Sequence, residues 1–213
     1  MNRVFIDVET GGLSYRGHAL TAMAAVVFDP DYKTIAVWDT KIKPLPDLYI
    51  SDDAAKLQGY QDQAHLRQSQ QFASSEQSAL ESLRQFLIDW LAPDNPDLQL
   101  PGLFRKFGHR IWAHNASFDS AFLMEAYYRV NETVIRVPFG CSCSLLHANR
   151  ILPESQTPGG SLLKLARFFG IEFPNQHSPV ADSRVGIAVL RALDEYQRAG
   201  SGDGQPLAGE EVV

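Results

Sequence analysis

Two carboxylates stand two residues apart in the first β-rich run of the chain. The apolar residues 4–6 lead into Asp7-Val8-Glu9, and the glycines at 11–12 signal a turn. Because side chains alternate along a strand, Asp7 and Glu9 share one face of the sheet while Val8 points to the other. Two neighbouring anions repel each other, so the pair is costly unless cations occupy the site. The strand therefore favours a divalent-cation site, although an isolated Asp-x-Glu is more commonly a solvent-exposed pair.

Four further segments extend this strand into a predicted sheet. The β-rich runs at 20–28 and 34–42 flank a turn signal at 29–31, which predicts two strands that continue antiparallel from the first. Shorter strands or extended segments are predicted at 110–113 and 134–143. Three strands followed by helices alternating with shorter strands are typical of an α/β fold with a mixed central sheet flanked by helices.

The rest of the pattern predicts one domain and a tail. Apolar residues at helical spacing predict a helix over 75–91, and residues 93–108, rich in Pro and Gly, are predicted to form a long loop. We expect one domain over residues 1–198 and a disordered, acidic, Gly-rich tail over 199–213. Other helices are predicted near residues 51–58, 117–130, 144–150, 161–169 and 179–198.

The charge of the chain restricts its partners. A formal net charge of −6, from 25 acidic and 19 basic residues, counts against a broad surface that grips duplex nucleic acid. It counts less against an enzyme that holds a few terminal nucleotides, because bound divalent ions supply positive charge there. Cys141 and Cys143 are too sparse for a disulfide framework, which favours packed thiols in a reducing cytoplasm. We also expect no membrane segment.

A second acidic element follows the strand predicted at 110–113. His114 to Asp119 reads as a strand end, a polar turn and the first turn of a helix, with Ser117 as a plausible helix cap. Asp119 could serve a site at this edge of the sheet. It could equally do no more than stabilise the helix start through the helix dipole.

A third element combines a histidine with a carboxylate. Ser178 followed by Pro179 predicts a helix start, with the serine as cap and the proline as first helical residue. His177 then lies on the incoming loop and Asp182 near the first helical turn, so both can face one pocket. Taken alone, an exposed loop histidine and a surface carboxylate are the simpler explanation.

The order and spacing of these three elements resemble those of the DEDDh (DnaQ-like) 3'-5' exonucleases over about residues 3–195. The resemblance implies a ribonuclease H-like fold and release of nucleoside 5'-monophosphates from the 3' ends of single-stranded DNA or RNA. It also implies two Mg²⁺ or Mn²⁺ ions. The matching segments are Asp7-Val8-Glu9-Thr10 with Leu13, His114-Asn115 through Phe118-Asp119, and His177 through Asp182.

The resemblance also assigns roles to individual residues. His177 would be the general base that takes a proton from the attacking water, a task suited to an imidazole that titrates near neutral pH. Leu13 would be wedged between the last two bases, where an apolar side chain can interrupt stacking. The metal ligands would be Asp7, Glu9, Asp119 and Asp182, and the substrate-binding residues would be Thr10, Gly11, Gly12, Leu13, Asn115 and Phe118.

Two departures from the family pattern and several alternatives stay open at this stage. Gly11 stands where a second threonine is often found, and Pro179 stands where alanine is common. Neither change removes a metal ligand. The chain could instead be a proofreading or processing subunit that acts mainly through a polymerase partner, or a catalytically dead binding domain. A homodimer also stays open, as does the preference between DNA and RNA.

Overall fold

The computed structural model describes residues 1–133, 139–153, 160–174 and 176–200. Within them the chain forms a mixed five-stranded sheet with helices on both faces, as the sequence predicts. The strands are β1 (Arg3–Thr10), β2 (Leu20–Phe28), β3 (Thr34–Lys41), β4 (Ile111–Ala113) and β5 (Ser142–Cys143). The α-helices are α1 (Asp52–Leu57), α2 (Gln63–Ser69), α3 (Glu76–Leu91), α4 (Leu100–Phe107), α5 (Ala116–Asn131), α6 (Ser144–Ile151), α7 (Leu162–Phe168) and α8 (Pro179–Arg198).

The strand order is β3-β2-β1-β4-β5. The pairs β1–β2 and β2–β3 are antiparallel, whereas β4 runs parallel to both β1 and β5. Every residue of β2 is buried, because this strand has neighbours on both edges and helices on both faces. The parallel pairing of β1 with β4 brings their carboxyl ends to the same edge of the sheet, which sets the place of the candidate site.

The two faces of β1 pack against different helices. Val4, Ile6 and Val8 join the larger core with α3, α4 and α5. Phe5, on the opposite face, packs against Ile187 of α8 in a separate cluster. Side-chain alternation therefore places Asp7 and Glu9, which lie in phase with Phe5, on the face that α8 covers.

A glycine allows α8 to lie directly on β1. A Cβ added at Gly186 would lie 2.2 Å from Cζ of Phe5, a separation that no packed side chain tolerates. The absence of a side chain here lets the beginning of α8 lie close to the strand that carries the first two carboxylates.

The predicted loop at 93–108 is wrong. Residues Leu100–Phe107 form α4, and a single 3₁₀ turn follows at Gly108–Arg110. Leu103 and Phe104 are buried against the larger core, and Pro101 lies in the first helical turn, where proline costs no hydrogen bond. Tertiary burial thus outweighs the Pro and Gly content that suggested a loop.

The short helix α2 was not predicted either. The side chain of Asp62 caps it by accepting a hydrogen bond from the His65 N–H.

Parts of two predictions lie outside the described residues. Residues 134–138 of the predicted strand at 134–143 and residues 201–213 of the predicted tail are the parts concerned. In the described part of that predicted strand, only Ser142–Cys143 form a strand, β5. In the part of the chain that is described, no helix is both long and apolar enough to cross a bilayer.

We expect Gly186→Ala to lower the free energy of unfolding by about 1–3 kcal/mol, because the added methyl group overpacks the contact between α8 and Phe5. Urea denaturation measures this change. Gly17→Ala is the matched control, since its Cβ would meet only the Ser14 Oγ at an ordinary 3.7 Å. Equal stability of the two variants would contradict the close packing of α8 on β1.

Candidate active site

Asp7 and Glu9 occupy the second half of β1 and are both half-buried. Each lies opposite an alanine of β2, with Asp7 paired to Ala24 and Glu9 to Ala22. The small partners leave space above the strand for other groups to approach the carboxylates. A register shift between Glu9 and Thr10 ends the regular pairing at this point, a feature common beside functional sites.

Asp119 reaches β1 from the first turn of α5. Its side chain is 2% exposed, and its Oδ1 accepts a hydrogen bond of 3.2 Å from the backbone N–H of Val8. This bond joins the second acidic element to the strand between the two carboxylates of the first. The side chain of Asp119 therefore faces the site and does more than stabilise a helix start.

The predicted cap of α5 is wrong. Asn115 occupies the N-cap position with left-handed backbone (φ 57°), and no side chain caps the helix. Ser117 is already the second residue of α5, and its hydroxyl donates a hydrogen bond to Oδ1 of Asn115 at 3.4 Å. The left-handed residue turns the chain sharply from β4 into α5, which is how Asp119 follows so closely after the strand.

His177 and Asp182 lie on either side of the start of α8. Ser178 and Pro179 hold the N-cap and first helical positions as predicted, although the serine side chain makes no capping hydrogen bond. His177 is exposed and has left-handed backbone (φ 64°). One ligand atom from each of Glu9, His177 and Asp182 lies within 4.8 Å of the other two. The third element thus converges on the first.

The clustered carboxylates hold protons unusually tightly. Burial raises the pKa of Asp7 well above its ordinary value, and the charges of Asp119, Asp182 and Glu9 add to the effect. Burial is also the main cause that raises the pKa of Glu9 and of Asp119, each to about 8. Burial raises the pKa of Asp182 to about 6, against the opposing effect of the backbone N–H groups of His177 and Ser178. Ionising all four groups together is therefore unfavourable without added positive charge.

Divalent cations fit this donor set. Among the described residues, none of the ion pairs includes Asp7, Glu9, Asp119 or Asp182. Oδ1 of Asp182 is buried and has no hydrogen-bond partner. An unpartnered carboxylate oxygen among other oxygen donors is what Mg²⁺ and Mn²⁺ bind, and their charge would offset the repulsion.

The end of β1 and the turn after it carry four of the predicted substrate-binding residues. The Thr10 hydroxyl donates to the Gly12 carbonyl at 2.7 Å, which closes the turn. A Cβ at Gly11 would lie 2.5 Å from the Tyr49 carbonyl oxygen, and one at Gly12 would lie 2.3 Å from the ring of His18. Packing of the turn thus requires both glycines. Leu13, at its tip, is 86% exposed.

The other two predicted substrate-binding residues lie at the start of α5. Asn115 is exposed, whereas Phe118 is half-buried with its ring 4.9 Å from that of Phe122. Contact of all six residues with nucleic acid stays a prediction.

Sequence reasoning missed two residues that support the first motif. The Gln58 amide donates to the Thr10 carbonyl at 2.9 Å, and its carbonyl accepts from the Thr21 hydroxyl at 2.8 Å. Tyr49 is exposed, and its ring meets that of His18 edge-on at 5.6 Å. Neither residue carries a local signal, because both reach the turn only through tertiary folding.

The class of protein follows from comparison with known families and folds. Exonuclease I of E. coli, in complex with a dT13 oligonucleotide, has the same fold: the TM-score is 0.64 at 17% identity, over 93% of this chain and 42% of that one. Residues 2–153 match the 3'-5' exoribonuclease Rv2179c-like domain. The chain therefore belongs to this family of DnaQ-like 3'-5' exonucleases.

Two curated relatives share part of the sequence. Ribonuclease T of Haemophilus ducreyi (strain 35000HP / ATCC 700724) is 31% identical over 132 residues, which are 60% of this chain and 55% of that protein. The protein MT2247 of Mycobacterium tuberculosis (strain CDC 1551 / Oshkosh), named as a candidate bifunctional exonuclease/endonuclease, is 35% identical over 100 residues. These are 46% of this chain and 15% of that protein. The chain thus spans at most about half the length of these relatives.

We expect the stability of the metal-free protein to fall as pH rises from 5 to 9. The folded state raises the pKa of Glu9 from 4.5 to about 8, so the protonated form stabilises the fold. The stability that protonated Glu9 contributes is fully present below its ordinary pKa of 4.5, and it is lost as pH rises through the folded-state pKa of about 8. Glu9→Gln should flatten the fall by on the order of 2 kcal/mol, as measured by denaturation in EDTA at several pH values.

Glu81→Gln is the control for this series. Its hydrogen bonds with Arg84 lower the pKa of Glu81, so the stability it contributes is lost only in more acidic solution and stays constant over this range. An unchanged slope in Glu9→Gln would contradict the raised pKa that burial, together with the charges of Asp182 and Asp119, gives this carboxylate.

Proposed function

We propose that this protein is a metal-dependent 3'-5' exonuclease that releases nucleoside 5'-monophosphates from single-stranded nucleic acid. The observation that carries the proposal is the convergence of four carboxylates from β1, α5 and α8, with a buried oxygen of Asp182 left unpartnered. Such a cluster is stable with divalent ions bound and costly without them. Family membership gives the direction of digestion.

The proposed site holds two Mg²⁺ or Mn²⁺ ions through Asp7, Glu9, Asp119 and Asp182. When bound, such ions supply positive charge that stabilises the attacking and leaving oxygens of a phosphodiester during hydrolysis. The Val8 N–H holds Asp119 in place by a hydrogen bond of 3.2 Å. Because three separate elements supply the carboxylates, the fold itself sets the geometry of the site.

His177 is the proposed general base. Its ring nitrogen lies within 4.8 Å of carboxylate oxygens of Glu9 and Asp182, while the residue as a whole is exposed. The imidazole can therefore take a proton from the attacking water on the site side and release it to solvent on the other. Its left-handed backbone (φ 64°) lies immediately before the N-cap of α8.

The proposed substrate is a single-stranded end of RNA or DNA. The exposed Leu13 would insert between the last two bases, and Asn115 and Phe118, at the start of α5 next to Asp119 in sequence, would contact the same nucleotides. The description of the family favours RNA, whereas the similar Exonuclease I structure contains DNA. Digestion of matched RNA and DNA oligonucleotides, with the products resolved by length, separates the two.

We expect Asp7→Asn to lower kcat on a single-stranded oligonucleotide by at least about 100-fold in Mg²⁺, because it removes a charge that holds the ions and orients the phosphate. Asp39→Asn, on the edge strand β3, is the matched control and should retain full activity. The release of monophosphates is measured by chromatography. Comparable rates for Asp7→Asn and wild type would contradict the proposal.

We expect His177→Ala to lower kcat by about 10²–10⁴-fold, the usual contribution of a general base. The Mg²⁺ concentration that gives half-maximal activity should not change, and added imidazole should restore part of the rate. A Mg²⁺ requirement that rises strongly in the variant would instead identify His177 as a metal ligand.

A further inference from the structure

The loop after β1 is closed at its base and carries the exposed Leu13. The Gly11 N–H donates a hydrogen bond of 2.7 Å to the Ala19 carbonyl, which closes the base. Residues 13–17, further out on the loop, are all exposed. An exposed side chain on such a loop moves freely unless other groups fix the backbone around it. The position of Leu13 therefore depends on the contacts of the two residues that flank it.

One side chain, that of His18, contacts both flanking residues. Its Nδ1 lies 3.2 Å from the backbone nitrogen of Ser14. Its ring lies against Gly12, where an added Cβ would be only 2.3 Å from Cδ2 of the ring. Among the described residues, the other side-chain hydrogen bond to this stretch of backbone runs from the Thr10 hydroxyl to the Gly12 carbonyl. The imidazole of His18 thus joins the two sides of Leu13.

The backbone around the imidazole decides the direction of its hydrogen bond. Nδ1 is also 3.2 Å from the Ser14 carbonyl oxygen, but that oxygen already accepts the N–H groups of Gly17 and His18. Within the described part of the chain, the Ser14 N–H has no acceptor other than this ring nitrogen. We therefore assign Nδ1 as the acceptor of the Ser14 N–H.

Tyr49 supports the ring of His18 from the segment before α1. The two rings meet edge-on with their centres 5.6 Å apart, an arrangement that aromatic pairs favour. The backbones are joined as well. The Tyr49 N–H donates to the Gly17 carbonyl at 2.8 Å, and the Ala19 N–H donates to the Tyr49 carbonyl at 3.0 Å. Tertiary contacts thus fix His18, which can in turn fix the exposed part of the loop.

We propose that His18 is a positioning residue that holds Leu13 in the orientation needed to enter between the last two bases. This inference rests on the proposed exonuclease function, in which Leu13 is the wedge. His18 acts on the substrate only through Leu13, by fixing the residues on either side of it. A wedge that is already fixed loses little conformational freedom when nucleic acid binds, and such preorganisation increases affinity. His18 therefore matters for substrates with two adjacent bases and not for hydrolysis itself.

Two substrates separate the loop from the catalytic centre. The p-nitrophenyl ester of thymidine 5'-monophosphate has a single base, so it offers the wedge no pair of bases to separate. A single-stranded hexanucleotide offers such a pair. Wild-type protein that hydrolyses neither substrate would overturn the proposed function itself. Activity on both allows His18 to be tested separately.

We expect His18→Ala to lower kcat/KM on the hexanucleotide by about three- to tenfold, the range that corresponds to the loss of a hydrogen bond. Hydrolysis of the ester should stay within about twofold of wild type, since the bond that is lost acts only on the wedge. His18→Asn, whose amide oxygen can accept the Ser14 N–H in place of Nδ1, should recover part of the loss. A general loss of stability would produce neither the difference between substrates nor this recovery.

His65→Ala is the matched control. Nδ1 of His65 accepts the backbone N–H of Gln61 at 3.2 Å, and its ring meets that of Tyr60 edge-on at 5.7 Å. The variant therefore removes the same kinds of contact from α2, away from the loop after β1. Both rates should stay at wild-type values in this variant.

A double-mutant cycle with Leu13→Ala completes the test. Leu13→Ala alone should lower kcat/KM on the hexanucleotide, and adding His18→Ala should lower it by less than about twofold more, because the wedge is already gone. Equal loss on both substrates, full additivity of the two changes, or no loss in His18→Ala would overturn the inference. A wild-type rate for Leu13→Ala on the hexanucleotide would overturn both the wedge and this inference, whereas the nuclease activity of the wild-type protein would stand.

Discussion

The clustering of four carboxylates, one buried and three half-buried, is the constraint on which the site depends, because burial and mutual repulsion both oppose their ionisation. Burial raises the pKa values of Glu9 and Asp119 to about 8, so the cluster resists full ionisation at neutral pH. Such a cluster lowers the stability of a fold unless bound cations offset the negative charge. Here β1, α5 and α8 hold it in place, and the buried oxygen of Asp182 stays unpartnered. The metal-free protein therefore gives up stability that bound divalent ions would restore.

The position of β1 in the sheet explains how the fold brings the four carboxylates together. This strand pairs antiparallel with β2 and parallel with β4, so the ends of β1 and β4 meet at one edge of the sheet. The left-handed Asn115 then starts α5 directly after β4, and the hydrogen bond from the Val8 N–H fixes Asp119 against β1. On the other face, Gly186 lets α8 approach Phe5 closely, which brings Asp182 to the same edge.

Local patterns in the sequence predicted most of the fold, whereas the grouping of Asp119, His177 and Asp182 with the first two carboxylates came from the resemblance of the three motifs to a known family. Asp7 and Glu9 were recognisable because strand alternation places them on one face, and α3 because its apolar residues recur at helical spacing. Helix α4 was missed because burial of Leu103 and Phe104 outweighs the Pro and Gly around them. The supporting role of Gln58 arises from residues distant in sequence and has no local pattern.

The most direct test of this account is the number of protons released when Mg²⁺ binds to the metal-free protein. Isothermal titration calorimetry at pH 7, repeated in buffers with different ionisation enthalpies, measures this number. Because the pKa values of Glu9 and Asp119 stand at about 8, binding should release at least about one proton per protein. Mg²⁺ that fails to bind, or that binds without releasing protons, would contradict the claim that repelling carboxylates form a metal site.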